Sequence, residues 1–278
     1  MTSDPKKPVA VTIAGSDSGG GAGIQADIKA MEAHGVFAAS VLTAITAQNT
    51  VAVTQAFALP IDLIQAQLDA VFDDIAVSAV KTGMLSSSAI IRTVAAAVRA
   101  RKAWPLVVDP VMISTTGYRL LDDDASASLI EDLIPQATLI TPNAHEAAHL
   151  TGMAIRTAGD AREAARRLHA MGPAYVLVKG GHLEGEAEAI DILYDGHAFT
   201  SFSVPRIDTP HTHGTGCTYA SAIAALLARG FSVQDAVERA KRYVTEAIRH
   251  GLPIGQGHGP TNHFYFLAGS GIFPADGE

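Results

Sequence analysis

The chain has 278 residues, 48% of them hydrophobic, and a formal net charge of −8, which suits one large α/β domain as well as two small ones. The acidic balance argues against nucleic acid or an anionic membrane as the main partner, and a single cysteine cannot form an internal disulfide, which fits a reducing compartment. Met1 to Lys7 is polar and lacks the apolar stretch of a secretory signal, and no apolar run approaches the ~20 residues of a membrane span, so the expectation is a soluble cytoplasmic protein.

Short apolar runs alternate with longer segments of helical period. Val9 to Ala14 predicts a buried strand, followed by a Gly-rich loop and a helix near Ile24 to Ala33. Ala38 to Ile45 and Val51 to Leu59 predict strands, and Ile61 to Phe72 predicts a helix through Ile61, Ile64, Leu68 and Val71. Val77 to Val80 is a short strand and Ser86 to Arg101 a helix. Leu106 to Val108, Thr138 to Ile140 and Tyr175 to Val178 are brief strands, and Ala125 to Leu133, Glu146 to Leu150 and Ala161 to Met171 are helical. Ile190 to Tyr194 and Ala198 to Val204, separated by Asp195-Gly196, predict a hairpin. Gly216 to His250 is mostly helical, and the Gly- and Pro-rich stretch from Gly251 to Glu278 is expected to end in disorder. This order predicts a mainly parallel sheet with helices on both faces. No repeat, linker or charge block divides the chain, so a single domain over residues 1–278 is expected, with an ordered core of about 9–266.

In such sheets ligands bind outside the carboxyl ends of the strands, and the polar motifs fall there. His213-Gly214-Thr215-Gly216-Cys217-Thr218 runs straight into an Ala- and Leu-rich helical pattern, which places unpaired N–H groups where an anion is attracted. Cys217, in the first turn, is expected to have a lowered thiol pKa from the helix field. Gly21, Gly23 and Ala26 match a relaxed G-x-G-x-x-A dinucleotide pattern only weakly, displaced from the first strand by six residues, and a loop admitting a small flat ligand is favoured over an ordinary flexible turn. Asp27, on the next helix, either pairs with that ligand or complements the helix dipole. Asn143 and Glu146 share a helix face, which suits either a hydrated Mg²⁺ or a capping box. Asp109 is a second candidate near a metal or phosphates, Lys179-Gly180-Gly181-His182 fits phosphate contact or a simple turn, and Gln48 presents paired donor and acceptor groups to a heterocycle or to buried backbone. No Gly-Lys pair exists for a Walker-type phosphate loop, and His211 and His213 lack partners at zinc-site spacing.

Together these motifs resemble the ribokinase-like family of small-molecule kinases, and more closely its hydroxymethylpyrimidine/phosphomethylpyrimidine kinases of thiamin biosynthesis. The residues that carry the resemblance are Thr12 to Asp17, Gly20 to Asp27, Thr46 to Thr50, Gly83-Met84-Leu85, Asp109 to Met112, Thr141-Pro142-Asn143 with Glu146, Lys179 to His182 and Thr212 to Thr218. The resemblance implies a mostly parallel α/β sheet of about eight strands, ATP with Mg²⁺ as phosphoryl donor, and a homodimer. It implies two successive reactions, on the 5-hydroxymethyl group of 4-amino-5-hydroxymethyl-2-methylpyrimidine and then on the monophosphate. Carried over by position, Asp27 and Gln48 bind the aminopyrimidine edge, while Gly15, Ala22, Met84 and Val111 line its pocket. Asn143, Lys179, Thr212, Gly214 and Gly216 serve ATP, Asp109 and Glu146 serve Mg²⁺, and the amides from Gly214 through Thr215 and Gly216 to Cys217 hold the transferring group. A thiolate at Cys217 is the base expected for the first reaction. Competing readings are a pyridoxal kinase or dual enzyme, since both alcohols are flat heterocycles, then a dinucleotide-dependent oxidoreductase, then a catalytically silent nucleotide-binding regulator.

Overall fold

The computed structural model describes residues 7–101, 104–114, 117–122, 124–181 and 188–268. The expectations for the first six residues, for His182 and for the tail beyond residue 268 lie outside them. The strands are β1 (Val9–Asp17), β2 (Phe37–Gln48), β3 (Val53–Ala58), β4 (Ala79–Thr82), β5 (Leu106–Val108), β6 (Leu139–Ile140), β7 (Tyr175–Val178), β8 (Glu188–Tyr194) and β9 (Phe199–Pro205). They form a nine-stranded sheet in the order β3-β2-β1-β4-β5-β6-β7-β8-β9. The pairs from β2 through β1 and β4 to β7 are parallel, and the pairs β2·β3, β7·β8 and β8·β9 are antiparallel. The count is one above the family-based expectation of about eight.

The helices are α1 (Gly23–Ala33), α2 (Ile61–Asp74), α3 (Ser88–Ala100), α4 (Ala125–Ser128), α5 (Ala144–Thr151), α6 (Ala158–His169), α7 (Thr215–Ala228) and α8 (Val233–Arg249). The period-2 alternation of the strands sorts them into two layers. Val11, Ile13, Leu106, Val108, Ile140, Val176 and Val178 face the layer that holds Ile64 and Leu68 of α2, Ile91 and Val94 of α3, and Ala164 and Leu168 of α6. Ala10, Val107, Leu139 and Leu177 face the opposite layer, with Met31 of α1, Ile223 and Leu226 of α7, and Val237 and Val244 of α8. Each short central strand is buried on both faces, which is why it reads as a continuous apolar run.

Three local departures from the sequence expectations matter for the site. β1 continues three residues past Ala14, because a bulge between Ala14 and Ser16 carries Gly15-Ser16-Asp17 into the sheet although they look like turn residues. β4 ends in Lys81 and Thr82, both fully buried, so its polar end was hidden from a reading based on apolar runs. The helical stretch from Gly216 to His250 breaks at Gly230 (φ +87°), after which the Ser232 side chain caps α8 by accepting from Asp235 N–H.

Candidate active site

The carboxyl ends of β1, β4, β5, β6 and β7 and the N-terminus of α7 open on one cavity of about 960 Å³. Gly15, Ala22, Gln48, Met84 and Val111 line one part of it. Asp109, Asn143, Glu146, Lys179, Thr212 and the residues Gly214 to Cys217 line another. Of the expected site residues, Asp27 alone is not brought to the cavity wall.

Gly214 is the N-cap of α7 and needs its positive φ of +79°. A Cβ there would stand 1.7 Å from the Gly21 carbonyl oxygen, so the Gly-rich loop and the helix start are pressed together backbone to backbone. Thr215 N–H is taken by the Thr212 carbonyl at 3.2 Å, which removes it from the expected anion site. The Gly216 and Cys217 N–H groups, in the first turn, have no intrahelical acceptor. The Cβ position of Gly216 lies 3.4 Å from Lys179 Nζ and 3.9 Å from Asp109 Oδ2, so the helix end, a cation and a carboxylate oxygen share one corner.

Lys179 Nζ donates to Asp109 Oδ1 at 2.9 Å, and Thr141 Oγ1 donates to the same oxygen at 2.9 Å. Burial pushes the Asp109 carboxyl up, but the charges of Lys179 and then Lys81 outweigh it and hold the group below its ordinary range. Asn143 and Glu146 form the capping box of α5: Glu146 N–H donates to Asn143 Oδ1, and Asn143 N–H to Glu146 Oε2. Burial lifts the Glu146 carboxyl to about 7, against the pull of Lys179 and with the push of Asp109. No group of three metal-ligating side chains occurs among the described residues. The donor set nevertheless fits a Mg²⁺ that keeps its waters and leans on substrate phosphates, because Asp109 Oδ2 stays outside the hydrogen bonds to Lys179 and Thr141 and faces the Gly216 corner.

Asp17 organises the Gly-rich loop. Its carboxylate accepts N–H groups from Gly19, Gly21 and Ala22, and the His213 ring lies 3.0 Å from Oδ2. Burial would raise its pKa; the His213 hydrogen bond, then the Ala22 and Gly19 N–H groups, hold it below the ordinary value. Gln48 Nε2 lies 3.3 Å from the same His213 nitrogen, and Thr46 Oγ1 donates to Gln48 Oε1 at 3.2 Å. The Gln48 amide is thereby held at the cavity edge by two neighbours.

Two further expectations are corrected. Asp27 is fully buried behind the wall, where Lys81 Nζ donates to both its oxygens at 2.9 Å, Thr12 Oγ1 donates at 2.6 Å and Ser221 Oγ at 2.7 Å. No lone pair is turned toward a ligand; the carboxylate serves the lysine. Cys217, half-buried, does not have a lowered pKa: burial pushes the thiol up to about 11. The Lys81 charge pulls it down, Asp27 and Asp109 push it up, and the Gly23 N–H lowers it least, so desolvation is the largest influence on the thiol. Sequence reasoning placed Lys81, Asp17 and His213 inside motifs but assigned them no role. Lys81 had one readable signal, a lysine ending an otherwise apolar strand run.

A family model described as phosphomethylpyrimidine kinase matches residues 17–262. The chain is 51% identical over 260 residues to the hydroxymethylpyrimidine/phosphomethylpyrimidine kinase of Streptomyces coelicolor, covering 94% of this chain and 96% of the relative. It is 53% identical over 253 residues to the thiamine biosynthesis bifunctional protein ThiED of Geobacter sulfurreducens, covering 91% of this chain but only 51% of that longer protein. Among solved structures, an ADP complex of Bacillus subtilis pyridoxal kinase matches with a TM-score of 0.87 at 40% identity, over 95% of this chain and all of that one. The phosphomethylpyrimidine kinase of Clostridium difficile matches with a TM-score of 0.78 at 45% identity, over 87% of this chain and all of that one.

Proposed function

The chain belongs to the phosphomethylpyrimidine kinase family, and on that premise we propose that it moves the γ-phosphoryl group of ATP first to the hydroxymethyl group of 4-amino-5-hydroxymethyl-2-methylpyrimidine and then to the monophosphate so formed. The observation that carries this reading is that one cavity is lined both by the α7 N-terminus with Lys179 and by Gln48, Met84 and Val111. Its volume of about 960 Å³ stands near the top of the ~300–1,000 Å³ range of small-molecule sites, enough for a nucleotide and a flat acceptor side by side.

The residues divide the work. Gln48 offers donor and acceptor to the heterocycle edge, while Gly15, Ala22, Met84 and Val111 pack its faces. A side chain at Gly15 would meet Met84 Sδ at 2.9 Å, so glycine there keeps the slot thin. Lys179 and the Gly216 and Cys217 N–H groups stabilise the charge that shifts onto the transferring group, which is most of what phosphoryl transfer asks of a protein. Thr212 and Asn143 shape the ATP side. Asp109 and Glu146 would hold Mg²⁺ through its waters, and the ion supplies neutralising charge on the phosphates when bound. Cys217 faces the accepting hydroxyl and, once ionised, takes its proton in the first reaction. The second reaction needs no such base, because its nucleophile is already a phosphate oxygen.

A homodimer is supported by the open edge of the sheet. Ile45 of β2 and Phe57 of β3 stand directly opposite each other, 49% and 62% exposed. An apolar cross-strand pair on an edge is a surface that a second copy would cover. The continuous two-layer core supports a single domain over residues 1–278, and the unpaired cysteine supports a reducing, cytoplasmic setting. No described helix is long and apolar enough to cross a membrane.

Incubation of the purified protein with ATP-Mg²⁺ and either the aminopyrimidine alcohol or pyridoxal, with products read by mass, tests the reading. A doubly phosphorylated pyrimidine is expected. Turnover of pyridoxal alone would overturn it in favour of a pyridoxal kinase, and absence of ADP formation with both would point to a silent regulator.

A further inference from the structure

Asp17, Thr46, Gln48 and His213 all line the cavity and hold one another, and the hydrogens between them can be counted. Asp17 Oδ2 accepts from Gly21 and Ala22 N–H at 3.0 and 2.8 Å, and Oδ1 accepts from Gly19 N–H at 2.8 Å, so this carboxylate is an acceptor only. His213 Nε2, 3.0 Å from Oδ2, must therefore carry a hydrogen. The ring has little room to turn away. A Cβ on Gly21 would stand 2.4 Å from its Cδ2, His213 N–H donates to the Gly259 carbonyl at 3.1 Å, and the His213 carbonyl accepts from Thr261 N–H at 3.3 Å. Thr46 Oγ1 lies 2.9 Å from the Ser16 carbonyl, which can only accept, so the one hydroxyl hydrogen of Thr46 goes there.

Gln48 stands between these two fixed groups. Ser18 Oγ clamps its backbone, accepting from Gln48 N–H at 2.8 Å and donating to the Gln48 carbonyl at 2.7 Å. A side-chain amide has two orientations that fill the same space, and counting hydrogen bonds separates them. With Nε2 toward His213, an N–H points at an N–H across 3.3 Å, and the single Thr46 hydrogen has to serve both Ser16 O and Gln48 Oε1. With the ends exchanged, the His213 Nε2 hydrogen is shared between Asp17 Oδ2 and Gln48 Oε1, and Gln48 Nε2 donates to Thr46 Oγ1, which leaves the Thr46 hydrogen to Ser16. No like pair remains, and one lone pair of Oε1 and one hydrogen of Nε2 are left for a ligand.

We propose that Thr46, His213 and Asp17 are positioning residues for substrate selection: they fix the Gln48 amide with Nε2 toward Thr46 and Oε1 toward His213, so that the cavity takes a heterocycle edge in which a ring acceptor is followed by an exocyclic donor. The inference rests on the reading of Gln48 as the group that meets the heterocycle. The aminopyrimidine has such an edge: ring N3 accepts, the 4-amino group donates, and the 5-hydroxymethyl group comes next in the same direction. His213 runs directly into Gly214, the N-cap of α7, so this order leads from the Thr46 end of the amide toward the helix start. Pyridoxal carries an aldehyde beside its hydroxymethyl group, and bound the same way it would set one acceptor against another at Oε1.

Neutron diffraction from crystals of the unliganded protein locates the deuterons directly. They are expected on a Gln48 Nε2 that faces Thr46 and on His213 Nε2; a Gln48 Nε2 that faces His213 overturns the proposal. Kinetics test the consequence with the aminopyrimidine alcohol and its 4-oxo analogue, whose edge carries N3–H and a carbonyl in the reverse order. The parent is expected to prefer the amine in kcat/KM by about 10²-fold or more, since a mismatched edge leaves polar groups unpaired. H213L should lower that preference about tenfold or more, mainly through the KM for the amine with the KM for ATP little moved, and H213Q, which returns an N–H near the Nε2 position, should restore it. T46V, a smaller change at the other end of the amide, should lower the preference as well, and stands in if H213L does not fold. An equal loss toward both pyrimidines in each variant, or no rescue by H213Q, leaves only a structural role and overturns the proposal. Deuterons as expected in a parent that phosphorylates pyridoxal alone would overturn the aminopyrimidine reading, and the selection with it, while supporting the fixed amide. Deuterons in the other orientation in a parent that makes the pyrimidine diphosphate would overturn the inference alone, so the two ideas fail separately.

Discussion

Gly216→Ala separates stability from catalysis at the centre of the site. Gly216 lies in the first turn of α7 without a positive φ, so alanine is allowed there and gains up to ~1 kcal/mol of helix propensity. The new methyl would meet Lys179 Nζ at 3.4 Å and Asp109 Oδ2 at 3.9 Å, ordinary contacts that carry no strain. For a domain of this size that gain corresponds to a rise in Tm of about 2–4 °C. The same methyl stands where a phosphoryl oxygen must approach the Gly216 and Cys217 N–H groups. Losing one such donor typically lowers the rate by about 10²–10³, or roughly 2.7–4 kcal/mol of transition-state stabilisation, and both phosphorylations should suffer alike because they share the donor. The assay pairs a thermal melt with single-turnover phosphoryl transfer to the alcohol and to the monophosphate. A more stable protein that turns over within threefold of the parent would refute the placement of the transferring group at this corner. A lower Tm would refute the packing argument.

Cys217→Ala is expected to slow the first phosphorylation more than the second, since only the alcohol must lose a proton; equal losses in the two single-turnover rates would contradict this. Lys179→Met should reduce both rates by on the order of 10²-fold and raise the KM for ATP, an effect that unchanged kinetics would disprove. For Asp17→Asn the sign follows from a folded-state pKa below the ordinary 3.8: the carboxylate stabilises the fold above that value, and this contribution is lost as pH falls through the folded pKa. Denaturant titrations should therefore show the variant less stable by about 1–3 kcal/mol at neutral pH, with the gap closing below about pH 4. Replacing the exposed pair, as Ile45→Lys with Phe57→Glu, should shift sedimentation toward monomer while leaving the melting curve of the protomer core intact; a monomeric parent would remove the dimer proposal.

The layered fold was legible because burial on both faces makes each central strand a bare apolar run, and Leu106–Val108 and Tyr175–Val178 were delimited to the residue. Strand ends were less legible where polar residues are buried: Asp17 and Lys81 belong to strands by pairing with neighbours far along the chain. Motif spacing also located the glycine-led start of α7, since a helix start leaves its first N–H groups unpaired in any fold.

What the sequence by itself determined was the class of sheet, the edge at which the cavity opens and the residue types that meet there, all of which depend on local period and on parallel-sheet geometry. What only the tertiary structure decided was what each charged group faces. Asp27 turned from ligand partner to clamp because Lys81, 54 residues away, lies fully desolvated against it. The Cys217 thiol went up rather than down because burial, which no local spacing reveals, penalises its charged form more than the Lys81 charge and the Gly23 N–H favour it.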